Sequence, residues 1–477
     1  MRRLASTPQR EAMLVAATSA TLLTLCRIFQ APLAVVVVAG VICIALALQS
    51  PVGGLGAVVV TLPWFFEPLE VRNSSFPLSE LLLVAAFAGA GATLIRRLVT
   101  RSAGRVEATT VLEQVRRSRA LPLAAALAAL GLLHLIWLNE RTIFSSALRE
   151  WRWTMAEPLL LVLLLTLVCR ERWTAPFLAG CLVAATTLAA LQGLTDLFQG
   201  TGVMAEGVRR VTGPYRHPNA LALFLARGWA LTAAWWWFEP RARRLLAVPV
   251  VTITLGLAAT FSRGALAATA IVIIVLACVA APKVRLLALA GACLAVIGLV
   301  VVAGARMFDT FGGGSASLRI DIWRSAIDML RDHPWWGYGP DGFITSYAPR
   351  YIQPTAWGER FTSHAHNLLL DFWLRLGIIG AAFAALAVVW CCTAVLHVVR
   401  GSERVAKVSV IAVLGLLAAL VHGMVDNAYF AHDLAMSAWL LVWLAIDQRG
   451  SDSKEGTVDL ACPRRWRFWL HRLTPVR

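Results

Sequence analysis

The stretch HAHNLLLDFWLRLGIIG, residues 364–380, holds the residue types best suited to moving a proton. His366 opens a long apolar run. The partial positive charge at a helix amino terminus disfavours imidazolium. A neutral imidazole accepts a proton from a hydroxyl, so His366 is a candidate general base. Asn367 can cap the helix or orient a ligand. Nine residues separate Asn367 from Gly377, and Gly380 follows. Small residues there let another element approach closely. Standing alone, the same histidine would also serve as a polar cap at a membrane interface.

Arginines supply the complementary chemistry. Arg263 sits in the short turn SRGA (262–265) between two apolar blocks. A cation so near hydrocarbon is costly and usually has a partner or a task; snorkelling to lipid phosphates is the alternative. Guanidinium grips phosphate oxygens through two parallel hydrogen bonds, so Arg263 fits a fixed cation for a diphosphate. Arg210, with Arg209 and Arg216 nearby, can do the same from RVTGPYRHPNALA (210–222). Arg319 is a further candidate, in SLRIDIWRSAIDMLRD (317–332). Asp426 and Asn427 lie in HGMVDNAYFAHD (422–433), between His422 and His432. Asp426 can orient a base or an acceptor, or cap a helix. Asp371 and Arg375 are four apart on one helix and are expected to pair, a structural role. The histidines at 217, 364, 366, 422 and 432 lack the spacing of a compact zinc motif, so no metal is expected.

These side chains must hang on a helical bundle. Hydrophobic residues make up 58% of the chain and charged ones 15%, against about 25% charged in soluble domains. Apolar blocks fall at approximately 11–28, 31–49, 52–67, 78–98, 120–138, 155–169, 174–197, 218–238, 244–261, 264–280, 284–304, 366–398, 407–425 and 432–447. A crossing helix needs about 20 residues. Backbone groups inside hydrocarbon must bond within the segment, and no period-two alternation supports a barrel. The expectation is an all-α polytopic transmembrane bundle of about fourteen helices, about ten at the fewest. The net charge of +17 lies between the apolar blocks, where it meets anionic lipid. No basic stripe with interleaved aromatics suggests nucleic acid. The nine cysteines form no CxxC pair and read as core residues. The amino terminus, MRRLASTPQREAM, lacks an A-x-A-like cleavage site and reads as leading into a retained first helix.

Placing the amino terminus in the cytoplasm puts 27 of the 44 lysines and arginines on that side, as the positive-inside rule asks. Both termini are then cytoplasmic, and every candidate above falls on the extracytoplasmic face. Three segments there stand out. Residues 139–153 suggest an interfacial helix with Trp151 and Trp153 at headgroup level. Residues 198–217 form a Gly-rich basic loop. Residues 305–365 form the longest loop, in which Leu318, Ile322, Ala326 and Met329 share one helical face. That pattern fits a helix on the membrane surface, ended by HPWWGYGPDGF (333–343). The chain divides into helices without a motif (1–204), a motif-bearing membrane region (205–448) and a basic cytoplasmic tail (449–477).

H-N-x9-G-x-x-G resembles the signature of the O-antigen ligase family, bacterial membrane glycosyltransferases that act on lipid-linked glycans. HPWWGYGPDGF is similar to that family's Gly-aromatic-Gly stretch, SRGA to its short arginine turn, and RVTGPYRHPNALA to its Arg-x-x-Gly loop. The resemblance covers roughly residues 205–435. It implies a GT-C-like fold in the bacterial inner membrane, with no cofactor and no metal. It implies that arginines, most firmly Arg263 and then Arg210, hold the pyrophosphate of a polyprenyl-linked sugar donor. His366 would activate the acceptor hydroxyl of a lipid, glycan or protein, and single displacement would invert the anomeric carbon. Arg216, Arg319, Asn367 and Asp426 would help to bind substrate. A polymerase joining lipid-linked repeats shares this layout. The rival of another class is a flippase for lipid-linked oligosaccharides. Transporters place polar groups and broken helices near the bilayer midplane, whereas most central spans here are plain Ala, Leu and Val.

Overall fold

The computed structural model describes residues 7–28, 32–65, 69–71, 74–100, 104–137, 141–205, 207–280, 315–400, 404–450 and 457–459. The apolar block at 284–304, the start of the long loop and the tail motif RRWRFWLHR lie outside the described residues. Among the described residues the protein is all-α apart from three short hairpins. Its helices are α1 (Thr7–Ile28), α2 (Leu33–Gln49), α3 (Pro51–Thr61), α4 (Leu78–Thr100), α5 (Gly104–Arg117), α6 (Ala120–Ile136), α7 (Phe144–Trp151), α8 (Glu157–Val168) and α9 (Thr174–Gln199). There follow α10 (Pro218–Phe238), α11 (Arg243–Ala259), α12 (Arg263–Ala280), α13 (Ser315–Asp332), α14 (Gly342–Ser346), α15 (Leu368–Arg400), α16 (Lys407–Gly423) and α17 (His432–Ile446).

Among the described residues, five helices are long and apolar enough to cross a membrane. A sixth is gained if Val111–Arg117 and Ala120–Ile136, bent by 78°, count as one span. Five shorter apolar helices of 10–17 residues accompany them. The chain is an integral membrane protein. Length and composition alone support fewer spans than the expected fourteen.

The centre of the bundle is α10, which is apolar all round and buried from Leu221 to Ala234. It packs against α9, α11, α12 and α16. Inside it, Arg227 is fully buried. Its guanidinium donates to Leu434 O at 2.7 Å, to Ser437 Oγ at 2.9 Å and to Ala428 O at 2.9 Å. These bonds offset the cost of burying a charge and fix the turn between α16 and α17.

Two expected surface helices prove to be joined to the body. The segment expected to lie at the interface is found as Arg141–Trp151, and it runs on through a π-helical turn at Arg152–Ala156 into α8. Helix α13 exists as the pattern predicts, but its apolar face does not meet lipid. Ile322, Ala326 and Met329 are buried against Phe343, Tyr347 and Leu374 of the same chain.

Helix α15 is broken at Gly377, whose φ of 63° and ψ of −164° leave the helical region. The break frees the Leu374 carbonyl and the Ile378 N–H. The segment 335–338 supplies both partners: Tyr338 N–H donates to Leu374 O at 2.6 Å, and Ile378 N–H donates to Trp335 O at 3.2 Å. A Cβ on Gly377 would stand 2.0 Å from Trp335 O, and one on Gly337 would stand 2.4 Å from Leu374 O. Both positions therefore require glycine, and two distant motifs interlock through their backbones. The limb beyond the break, 378–400, is about 34 Å long, enough to cross a bilayer core of about 30 Å by itself.

Candidate active site

His366 stands just before α15 with φ of +52°. That conformation is uncommon for a residue with a Cβ and costs on the order of 1–3 kcal/mol unless its surroundings hold it. They do. Asn367 accepts from Leu369 N at 3.0 Å and Leu370 N at 3.1 Å, capping the helix, and donates to Met424 O at 3.0 Å. The side chain expected to bind substrate is thus committed to shaping the turn.

The His366 ring meets Asp426, with Nδ1 2.9 Å from Oδ1. Arg319 Nη2 lies 3.3 Å from the other oxygen, Oδ2. Burial would raise the Asp426 carboxyl. The His366 hydrogen bond and the charges of His366, His364 and Arg319 outweigh it and hold the group well below the usual carboxylate range. An ionised carboxylate only accepts, so Nδ1 carries a proton, and in the neutral imidazole Nε2 is then the acceptor. Thr362 Oγ1 lies 3.5 Å from that nitrogen. The arrangement is a base oriented by a carboxylate, with the carboxylate in turn held by a guanidinium.

The arginine loops reach the same end of the bundle. Arg210 donates to Thr260 O at 2.7 Å and to Asn219 Oδ1 at 2.7 Å. Val211 N–H donates to Ala259 O at 3.2 Å. Asp196 anchors the loop by accepting from Thr212 N and Gly213 N, each at 2.9 Å. The Arg210 loop is therefore clamped to the turn that carries Arg263. That turn touches the next segment: Ser262 Oγ is 3.5 Å from His422 Nε2, and Gly264 leaves no room for a Cβ against His422 and Val425. Arg263 itself is exposed at the start of α12, and Arg216 is exposed beside His217. His217 feels the charges of Asp426, Arg210 and His366, and burial is the main cause that lowers it from the usual histidine value. His432 stays apart, buried with Ser79 Oγ at 2.7 Å and Glu157 at 3.1 Å.

Sequence spacing suggested that Asp371 and Arg375 pair, and they do, at 3.0 Å. Their reach was not legible. Arg375, 1% exposed, also binds Glu150 Oε1 at 2.9 Å and Ser363 O at 2.9 Å, and its guanidinium lies 4.4 Å from the Phe430 ring. Asp371 accepts from Ala365 N at 2.8 Å. Glu150 also accepts from Asp341 N. This hub ties the His366 loop, the Asp426 turn and the 341 turn together. Glu150 was hidden in an amphipathic segment; its only signal was an acid beside an apolar face.

His364, His366 and Asp426 present donor atoms within 4.8 Å of one another, a cluster that sequence spacing did not reveal. A divalent cation there would have to displace the Arg319 ion pair and the His366 hydrogen bond. The donors fit proton handling better than a metal.

Fold and site together define a helical integral membrane protein with a carboxylate-oriented histidine amid arginines at one end of its bundle. Residues 248–385 match the model of the family described as O-antigen ligase, which bears out the resemblance carried by the motifs over that stretch. The match covers Arg263, Arg319, His366 and Asn367, and over that stretch the chain is similar to ligase- or polymerase-like membrane enzymes. Arg210, Arg216 and Asp426 lie beyond it. No curated protein matches the chain.

Proposed function

We propose that the protein transfers a glycan from a polyprenyl diphosphate carrier to an acceptor hydroxyl, at the extracytoplasmic face of the bacterial inner membrane. The observation that carries this reading is the His366–Asp426 pair, linked through Arg319 and the two arginine turns to one end of the bundle. His366 Nε2 takes the acceptor proton. The acceptor oxygen then bonds to the anomeric carbon while the bond from that carbon to the diphosphate oxygen breaks. The electron pair leaves with the diphosphate, and Arg210 and Arg263 neutralise its growing charge. Arg319 holds Asp426 in place, and Arg216 adds an exposed cation at the rim. A single displacement inverts the carbon.

The carrier's isoprenoid chain has a fitting groove. A cavity of about 420 Å³ between α6, α15, α16 and α17 is lined by Leu368, Phe372, Trp390, Ala428 and Trp439, among others. Its end at Leu368 and Ala428 lies two residues from His366 and from Asp426 in the chain. A polymerase would use the same site with a second lipid-linked glycan as acceptor.

The test is transfer by the full-length protein in proteoliposomes. His366→Ala and Arg263→Ala should each abolish it at unchanged protein level, and near-normal transfer in both removes the mechanism. Sidedness is tested by Ser363→Cys, which a membrane-impermeant thiol reagent should label from outside the inner membrane. Labelling from the cytosol alone would sink the assignment.

A further inference from the structure

A second cleft lies on the α6 side of the bundle, and none of the arginines expected to hold the diphosphate lines it. Helix α15 packs against α12, which begins with Arg263, and also against α6, which ends near His134; α6 and α12 do not pack closely on each other. On the α6 side, a cavity of about 450 Å³ opens between Trp137, Trp336, Tyr338, His333, Ser346 and Arg350. That size suits a small-molecule or sugar site. Its character differs from the isoprenoid groove, because cations, hydroxyls and exposed indoles share the lining.

The walls are held in place independently of any ligand. The two ring nitrogens of His134 lie 2.8 Å from Leu130 O and 3.1 Å from Trp336 O, and its ring meets the Trp336 ring at 5.5 Å. Tyr338 commits its hydroxyl to Met329 O and Tyr351, which leaves its ring as a wall, with His333 at 4.9 Å edge to face. By contrast, the indoles of Trp137 and Trp336 are 70% and 55% exposed. Exposed indole faces beside hydroxyl and guanidinium groups match a pyranose, with its apolar C–H face and polar rim. Arg350 adds a two-pronged donor suited to a carboxylate or phosphate on the sugar.

The cleft floor also fixes its distance from the chemistry. Tyr338 N–H bonds Leu374 O, which lies eight residues after His366 along α15. At 1.5 Å per residue this is on the order of 12 Å. A ligand anchored in the cleft must therefore be several rings long to bring a hydroxyl to Nε2. A single displacement needs the acceptor to approach from the side away from the leaving group, and this cleft is lined by none of Arg210, Arg263 and Arg319. We propose that this cleft binds the acceptor glycan, an acidic or phosphorylated oligosaccharide, and sets acceptor specificity. The proposal rests on the glycosyl-transfer reading above only for the word acceptor; the binding itself stands on the cleft.

Two readouts separate these ideas. The first is binding of detergent-solubilised, fluorescently labelled full-length protein to an array of neutral and acidic oligosaccharides of increasing length. Wild type should bind a subset of multi-ring acidic glycans, and Trp336→Ala and Arg350→Ala should each lose that signal at least tenfold. Both side chains are exposed, so the variants should fold. Binding unchanged in both variants, no glycan bound by wild type, or a signal abolished only by competing phospholipid headgroups overturns the proposal. The second readout is transfer kinetics, where both variants should raise the acceptor KM tenfold or more and leave the donor KM within twofold. A wild type that binds glycan on the array but transfers none defeats the glycosyl-transfer reading and leaves the cleft as a glycan site.

Discussion

Nδ1 of His366 lies 2.9 Å from Oδ1 of Asp426, across sixty residues of sequence. The contact fixes the tautomer and aims Nε2 at the space beside Thr362. Asp426→Asn should keep the geometry but lose the ionised acceptor, since an amide no longer selects one tautomer. The expected loss in kcat is about 10²–10⁴-fold, with the donor KM changed far less. Steady-state transfer kinetics check it, and a kcat within threefold of wild type contradicts the role.

Arg375 should act on catalysis through position. Removing one partner of a buried ion pair costs about 3–5 kcal/mol, so Arg375→Ala should lower the melting temperature sharply. Glu150→Gln is gentler, because it keeps the side-chain size and one acceptor oxygen, while its NH2 faces whichever of the two donors, Arg375 Nε or Asp341 N, loses its partner. It should lower kcat by roughly 10–100-fold, the scale of a small misplacement, while donor KM holds. A parallel loss of stability and activity with no separation of kcat from KM would mean a purely structural hub.

Gly377→Ala should disrupt the interlock with 335–338. Its φ of +63° disfavours a side chain, and the new Cβ would strike Trp335 O. The cost should be about 1–3 kcal/mol, seen as a lower melting temperature and faster proteolysis between 335 and 365. Gly91→Ala, where a Cβ meets nothing within 4 Å, is the control and should be nearly silent. Equal behaviour of the two variants would refute the interlock.

Acid should loosen the site before it unfolds the bundle. His364 is held well below its ordinary 6.5 by burial first and then by the charges of His366, Arg375 and Arg319, with Asp426 opposing. His217 is lowered as well. The unfolded chain takes up these protons at the ordinary value and the folded chain resists. Stability therefore rises with pH up to about 6.5 and is lost as pH falls below it. Asp426 adds to the trend further down: its depressed carboxyl contributes stability above its ordinary 3.8, and that contribution is lost as pH falls through its lower folded value. Melting temperature should drop between pH 7 and pH 5, and His364→Asn should flatten the slope. A slope that steepens in this variant would reverse the assignment.

Much of the site was legible in the sequence because its parts are local. His366 with Asn367, the SRGA turn and the Arg210 loop each announce themselves by a polar residue at the end of an apolar run. The Asp371–Arg375 pair follows from helical spacing alone. Glu150, Asp196 and the identity of the base that Asp426 orients were not legible, because each acts on a partner far away in the chain. Among the described residues five or six helices are long and apolar enough to span, and five more apolar helices are shorter, so hydropathy blocks alone overstate the number of long spans. The surface helix at 315–332 misled as well: an amphipathic stripe gives its period but not the element that covers it.

By itself the sequence determined that this is a helical membrane protein and which residue types could do its chemistry, since composition and period act within single segments. The tertiary structure alone decided that His366 meets Asp426, that Arg375 joins three loops and that two glycine motifs interlock through their backbones. Those contacts depend on how distant segments pack, and no local pattern encodes a distance between them.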